Sequence, residues 1–185
     1  YDNYNDLKRM SFDLETEGLN PRNHHISQIS IRTNKGFEKI ITITGSTVEE
    51  KERNELNAII EFIQIIADEQ PDVIFGHNTE NFDWDFIIVR CQQYGINFQE
   101  LSGQFLREGI YKQKKPTTLK LGGEVETYYA TVMKYHNIVD SLHAVSPAMA
   151  TDSSFESASL KSATTHLHLN HHPRVYVPRN LIEST

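Results

Sequence analysis

The hydrophobic pattern of the chain changes at Thr47 from the spacing of strands to the spacing of helices, which restricts the fold to a mixture of both. The part before Thr47 contains three runs rich in strand-forming residues, at residues 8–15, 26–33 and 37–44. After it, Thr47 and Glu50 make a capping box, and apolar residues recur at helical spacing until Pro71. We predict three strands, the last two paired as a hairpin, and then a helix.

A second strand and a second helix follow this first helix. Residues 72–76 have the composition of a short buried strand, and residues 81–94 favour a helix closed by Gly95. Three strands, a helix, a strand and a helix are the order of an α/β fold.

The pattern is weaker beyond Gly95. A predicted hairpin and the core strand after it cover residues 112–120, 125–133 and 135–140, with a turn at Gly122-Gly123. Pro147 is expected to interrupt the apolar segment that follows, and residues 154–168 are compatible with a helix.

Composition excludes several classes of protein. A length of 185 residues is that of one domain, and the single Cys91 excludes an intramolecular disulfide framework and a CxxC zinc site. A net charge of -7 has the wrong sign for holding nucleic acid by bulk charge alone. Because no run of about 18 apolar residues occurs, we expect no membrane span. The single cysteine favours a reducing compartment.

Two acidic residues in the first strand are the strongest candidates for chemistry. In the sequence Phe12-Asp13-Leu14-Glu15, alternation places Asp13 and Glu15 on one face and Leu14 on the other. Carboxylates held together on a buried strand repel each other unless a cation lies between them, so the pair indicates a divalent metal. The alternative is an exposed strand end with solvated acids.

A third acid lies where a predicted strand gives way to a helix. The sequence from Phe75 to Asp83, FGHNTENFD, ends a strand, makes a polar turn and places Asp83 in the first turn of the helix. An acid there is stabilised by the helix N-terminus, so a purely structural role for Asp83 is the alternative.

The two blocks together resemble the 3′-5′ proofreading exonuclease domain of family B DNA polymerases, one of the DEDD or ribonuclease-H-like exonucleases. Phe12 to Thr16 is similar to the family's FDxET block, and Asn78 to Asp83 to its NxxxFD block. Arg90-Cys91 in the second helix and the strand containing Asp140 also fit the family pattern. The resemblance implies a ribonuclease-H-like mixed sheet with flanking helices, and it covers most of residues 8–165.

The resemblance also implies roles for individual residues. Asp13 would bridge two divalent cations, Mg²⁺ or Mn²⁺, while Glu15 would hold the water-activating ion and Asp83 the leaving-group ion. The residues implied to meet the terminal nucleotide or to shape its pocket are Thr16, Leu19, Asn78 and Phe82.

The same resemblance implies partners and a setting. We expect residues 1–185 to form a single 3′-5′ exonuclease domain, a fragment of a larger DNA polymerase. Its partners would be a single-stranded DNA 3′ end and the polymerase domain of the same parent chain, and the protein would be a monomer without membrane contact. Its location would be the cytoplasm of a bacterial or phage-infected cell, or the nucleus of a eukaryote.

One part of the family pattern is missing. The family's YxxxD block, which supplies a fourth acid, has no match in the chain, since Tyr176 to Asn180 ends in Asn and contains Pro178. We expect the fourth acid after Thr185, with Asp140 as the alternative within the chain. A non-catalytic nucleic-acid-binding domain of the same fold is therefore the competing function, and action on RNA is a third.

Two further features could serve ligand binding or could simply be solvent-exposed polar surface. The histidines of the sequence HLHLNHH suggest zinc by composition, but a solvated helix end explains them better; they are His166, His168, His171 and His172. The lysines of residues 112–120, with Tyr128 and Tyr129, would suit single-stranded DNA, although lysines at a hairpin tip are more often solubilising.

Overall fold

Strands supply the centre of the computed structural model, which describes residues 6–121, 124–152 and 154–169. In chain order the strands are β1 (Arg9–Thr16), β2 (Ile26–Thr33), β3 (Glu38–Thr42), β4 (Val73–Gly76), β5 (Ile110–Lys112), β6 (Thr117–Leu121), β7 (Glu124–Tyr128), β8 (Thr131–Met133) and β9 (Asn137–Asp140). The helices are α1 (Val48–Glu69), α2 (Asp83–Gln93), α3 (Phe98–Ser102), α4 (Leu142–Thr151) and α5 (Leu160–His166).

Five of these strands form the central sheet, in the order β3-β2-β1-β4-β9. Strand β2 pairs antiparallel with both β1 and β3, whereas β4 lies parallel to both β1 and β9. The predicted α/β class, a mixed sheet with flanking helices, is confirmed. Because β1, β4 and β9 run in the same direction, their carboxyl ends meet at one edge of the sheet, where open α/β sheets bind ligands.

The core joins β1 to the two long helices. Helix α1 begins as predicted, with Thr47 Oγ1 accepting a hydrogen bond from the Glu50 N–H at 3.1 Å. Phe12 of β1 packs against Phe62 of α1 and Trp84 of α2, with ring centroids 4.9 and 4.8 Å away. This aromatic contact fixes the start of α2 beside β1.

Helix α2 begins two residues later than predicted. The backbone of Asn78 is left-handed (φ 64°), and the Asp140 carboxylate accepts hydrogen bonds from the N–H groups of Asn78 and Glu80. These bonds hold residues 78–82 in a turn, so the helix starts only at Asp83.

Three predictions for the second half of the chain need correction. The single strand expected over residues 125–133 is wrong, because β7 pairs with β6 while β8 pairs with β5. The expected interruption at Pro147 is wrong as well, since Pro147 lies inside α4, which continues to Thr151. The helix expected over 154–168 is confirmed only for α5, which Ser159 caps.

Two further observations bear on the predictions. Gly122 and Gly123, the expected hairpin turn, lie outside the described residues. No helix in the described part of the chain is both long enough and apolar enough to span a lipid bilayer.

We predict that Phe62→Ala lowers the free energy of unfolding by about 3–5 kcal/mol, because it removes the fully buried ring that joins β1 to α2 and leaves a cavity. Urea denaturation measures the change. Gln64→Ala, on the exposed side of the same helix, is the control and should change stability by less than about 0.5 kcal/mol. Equal effects of the two substitutions would contradict this account of the core.

Candidate metal centre

The two acids of β1 lie on the face of the strand that the core does not cover. Leu14 is buried, as predicted, whereas Asp13 and Glu15 are exposed. Their cross-strand neighbours on β2 are Ser30 and Gln28, which carry no charge. Burial of both acids is therefore not observed, and the solvated-strand alternative describes their exposure correctly.

The third acid, Asp83, is the buried member of the group, with 2% of its surface exposed. Its Oδ1 accepts a hydrogen bond from the Leu14 N–H at 3.1 Å, between the two acids of β1. The bond joins the first residue of α2 to the strand across 69 positions of sequence. Asp83 thus contacts β1 directly, in addition to lying in the first turn of α2.

The electrostatics of the group show that these acids repel one another. Burial, followed by the charges of Asp13 and Asp140, raises the pKa of Asp83 from 3.8 to about 7. Partial burial also raises the pKa of Asp13, although the Leu14 N–H and His77 oppose that shift. The charges on Asp13 and Asp83 are therefore only partly compensated by protein groups.

Asp140, the in-chain alternative for the fourth acid, also holds a turn of the backbone. It is buried at the end of β9, and its two oxygens accept from the N–H groups of Asn78, Glu80 and Leu142 at 2.8, 3.0 and 2.9 Å. A carboxylate satisfied by three amides shapes the turn between β4 and α2. Sequence analysis singled out Asp140 from its position in the family pattern, but it did not predict these hydrogen bonds to the turn.

A second buried acid, Glu80, anchors the same turn from the opposite side. Its carboxylate accepts from the N–H and hydroxyl of Thr131, and Lys112 Nζ approaches it at 3.1 Å. Lys112 also pairs with Asp85. The lysine expected to be part of a DNA-guiding basic stretch is thus engaged within the protein, while Lys114 and Lys115 remain exposed.

The residues expected to meet substrate lie in two places, at the end of β1 with the loop that follows it, and in the turn before α2. Thr16, the last residue of β1, donates from Oγ1 to the Gly18 carbonyl at 3.0 Å, and Leu19 in the loop after it is 83% exposed. Asn78 and Phe82 delimit the turn before α2, where the Phe82 N–H donates to the Asn78 carbonyl. Contact of these four side chains with a nucleotide stays a prediction.

A cavity of about 450 Å³ adjoins Asp13 on the open face of the sheet. His77 and Ser141 line it, with Nδ1 of the imidazole 3.0 Å from the hydroxyl oxygen. Sequence analysis missed His77, and the available signal was its position directly after β4, at the edge where the parallel strands end.

The histidine-rich segment gives no support for zinc. His166 pairs with Asp152 at 3.2 Å and lies against the ring of Phe155, and His168 is exposed. His171 and His172 lie outside the described residues. Within residues 6–121, 124–152 and 154–169, no three His, Cys, Asp or Glu side chains converge as a ready metal site.

The donor chemistry of Asp13 and Asp83 nevertheless fits a hard divalent cation. Both are oxygen donors, both have a raised pKa, and the raised pKa of Asp83 arises in part from the negative charge of Asp13. A cation between them would remove that repulsion, and Glu15 lies on the same face of β1. The arrangement therefore suits a metal-dependent hydrolytic site.

Comparisons of the sequence with known proteins point to one family. A family model for the DNA polymerase family B exonuclease domain matches residues 1–134. The chain is 31% identical over 100 residues to a DNA polymerase of Thermococcus kodakarensis, covering 50% of this chain and 6% of that protein. It is 29% identical over 118 residues to the DNA polymerase delta catalytic subunit of Candida albicans, covering 55% of this chain and 11% of that protein.

A comparison with solved structures concerns the fold alone. The structure of the family B DNA polymerase from the hyperthermophilic archaeon Pyrobaculum calidifontis matches with a TM-score of 0.59 at 19% identity, over 87% of this chain and 18% of that one. At this identity the match shows the fold. The chain spans only about a tenth or less of the length of the two DNA polymerases compared above.

We predict that Asp83→Asn stabilises the protein in chelator, and does so more at about pH 8 than at about pH 5. With a pKa of about 7 against 3.8, folded Asp83 retains a proton that the unfolded chain releases. Stability is therefore lost as pH rises from 3.8 to about 7, and Asn, which still accepts from the Leu14 N–H, avoids this loss.

Urea denaturation at both pH values measures the difference. Asp85→Asn, which replaces an exposed acid two residues further along the same helix, is the control. Its effect on the free energy of unfolding should be nearly the same at both pH values. Adding Mg²⁺ should stabilise the unaltered protein more than the Asp83 variant. A variant destabilised equally at both pH values would contradict the repulsion between these acids.

Proposed function

This chain belongs to the exonuclease-domain family of family B DNA polymerases, and on that basis we propose that it removes nucleotides from the 3′ end of single-stranded DNA by metal-dependent hydrolysis. The hydrogen bond from the Leu14 N–H to Asp83 is the observation that carries the proposal. It ties the acid of the second family block to the strand that carries the two acids of the first.

Asp13, Glu15 and Asp83 would hold two divalent cations, Mg²⁺ or Mn²⁺. When bound, such ions activate a water molecule and stabilise the leaving 3′ oxygen. The protein's own contribution is to hold the carboxylates in place: β1 fixes the first two, and the Leu14 amide fixes the third.

The two loops beside these acids would bind the terminal nucleotide. Leu19 is an exposed apolar side chain on a loop tied by hydrogen bonds, so it offers a surface against which a base can pack. Asn78 and Phe82 would shape the opposite side of the nucleotide pocket, on the turn that Asp140 holds.

Preference for errors would follow from the cost of unpairing. A mispaired 3′ end leaves the duplex more easily than a matched one, so it reaches a single-strand site more often. In this proposal, residues 1–185 act as one domain beside a polymerase domain of the same parent chain, as a monomer, wherever the host replicates its DNA.

A non-catalytic nucleic-acid-binding domain is the second candidate. The observation that favours it is the lack of a converged set of three ligands among the described residues, together with the use of Asp140 in holding a turn. The two functions differ in whether a 3′-labelled oligonucleotide is shortened or only retained.

We predict that Asp13→Ala reduces 3′-5′ digestion by more than about 100-fold in the protein as its gene encodes it, since loss of even an indirect partner of a metal ligand costs 10- to 100-fold. Stability in chelator should change little, because the substitution removes one of two mutually repelling acids. Digestion of a single-stranded oligonucleotide and thermal unfolding provide the two measurements.

Asp68→Ala, an exposed acid on α1, is the matched control and should digest DNA normally. Digestion by the Asp13 variant at the unaltered rate would remove Asp13 from the site. Binding of the oligonucleotide without any shortening by the unaltered protein in Mg²⁺ or Mn²⁺ would support the non-catalytic alternative.

A further inference from the structure

A buried ion pair joins the two long helices behind the candidate site. Arg90 of α2 and Glu55 of α1 form a forked pair, with Arg90 Nε 3.0 Å and Nη2 2.9 Å from Glu55 Oε2. Their side chains are 4% and 0% exposed. Tyr94 completes the group, because its hydroxyl accepts from Arg90 Nη2 at 2.6 Å and donates to Glu55.

The same two charged side chains also hold the loop between β1 and β2. Arg90 Nη1 donates to the carbonyl oxygen of Pro21 at 3.1 Å. Glu55 Oε1 accepts from the Ile26 N–H at 2.7 Å. The first bond holds Pro21 in the middle of the loop, and the second holds Ile26, the first residue of β2, where the loop ends. The ion pair therefore connects the loop to both helices.

The remaining contacts of the loop hold its beginning. The Glu17 N–H donates to the His25 carbonyl at 3.0 Å, which closes the base of the loop. The Glu17 carboxylate pairs with Lys51 of α1 and with His25. Leu19 lies between these two sets of contacts and is the exposed apolar residue that they present to solvent.

Stability alone is a weak reason for this arrangement. The cost of desolvating two charges often equals or exceeds their attraction, and apolar residues of similar volume can replace such a pair without loss. What apolar residues cannot do is bind the Pro21 carbonyl and the Ile26 amide. Arginine is also specific here, because its planar fork contacts Glu55 and Pro21 in different directions at once, whereas lysine is a single point charge.

We propose that Arg90, together with Glu55, is a positioning residue of the nuclease site: it fixes the β1–β2 loop, residues 17–25, so that Leu19 meets the terminal nucleotide. The role of Leu19 rests on the proposed function, whereas the restraint on the loop does not. Loosening the restraint should weaken nucleotide binding while the acids of β1 and α2 stay in place.

Hydrogen exchange of the protein as its gene encodes it tests the restraint without any assay of activity. In Arg90→Lys, amides of residues 17–26 should exchange at least about tenfold faster, while the interior of α1 remains as protected as before. Arg53→Lys, an exposed arginine on α1, is the matched control and should leave both segments unchanged. Unchanged exchange of the loop in Arg90→Lys would overturn the proposal.

Kinetics on a single-stranded oligonucleotide test the consequence. Arg90→Lys should raise KM about tenfold with kcat within about threefold, because the change affects binding of the nucleotide more than the acids. Leu19→Ala should raise KM similarly, and the double variant should be no worse than the poorer single variant, since both act through one loop. Multiplied effects, or a loss in kcat alone, would overturn the proposal.

If Arg90→Lys fails to fold, Tyr94→Phe tests the proposal instead. It removes the hydroxyl that bonds to both members of the ion pair. The amides of residues 17–26 should again exchange faster and KM should again rise, both by less than in Arg90→Lys. No change in either measurement would count against the proposal. If the unaltered protein does not digest DNA, the proposed function fails, while the exchange experiment still decides whether the ion pair restrains the loop.

Discussion

The hydrogen bond from the Leu14 amide to Asp83 is the contact on which the candidate site depends. The amides of a strand normally pair with its neighbours in the sheet. Strand β1 pairs with β2 along nearly its whole length, but it pairs with β4 at only three residues, Arg9 to Ser11. The shortness of β4 leaves the Leu14 N–H available to the first residue of α2.

The position of Asp83 depends in turn on how α2 begins. Residues 78–82 do not continue the helix, because the Asp140 carboxylate takes the amides of Asn78 and Glu80 while Glu80 reaches across to Thr131 and Lys112. These long-range bonds fix the first turn of α2 against β1 even though its N-cap residue, Phe82, makes no side-chain cap. The position of Asp83 is thus set by buried hydrogen bonds of Asp140 and Glu80, neither of which is one of the three candidate metal ligands.

Sequence reasoning predicted the elements that local patterns determine and missed those that distant partners determine. The limits of β2 and the cap of α1 at Thr47 were correct, because alternation and a capping box are properties of neighbouring residues. The split between β7 and β8 was missed because residues 125–133 have uniform strand composition and only pairing with β6 and β5 separates them. The acids were found from their spacing, but the burial of Asp83 and exposure of Asp13 depend on which side of β1 the helices cover.

The compensation of charge separates the structural acids of this protein from the functional candidate. The buried carboxylates among the described residues are Glu55, Glu80, Asp83 and Asp140. Glu55 has a guanidinium, Glu80 an ammonium and Asp140 three amides, whereas Asp83 has the Leu14 amide and its own amide and faces two other acids. Because an uncompensated buried charge costs folding free energy, Asp83 is the described buried acid that would gain most from a bound cation, as the proposed function requires.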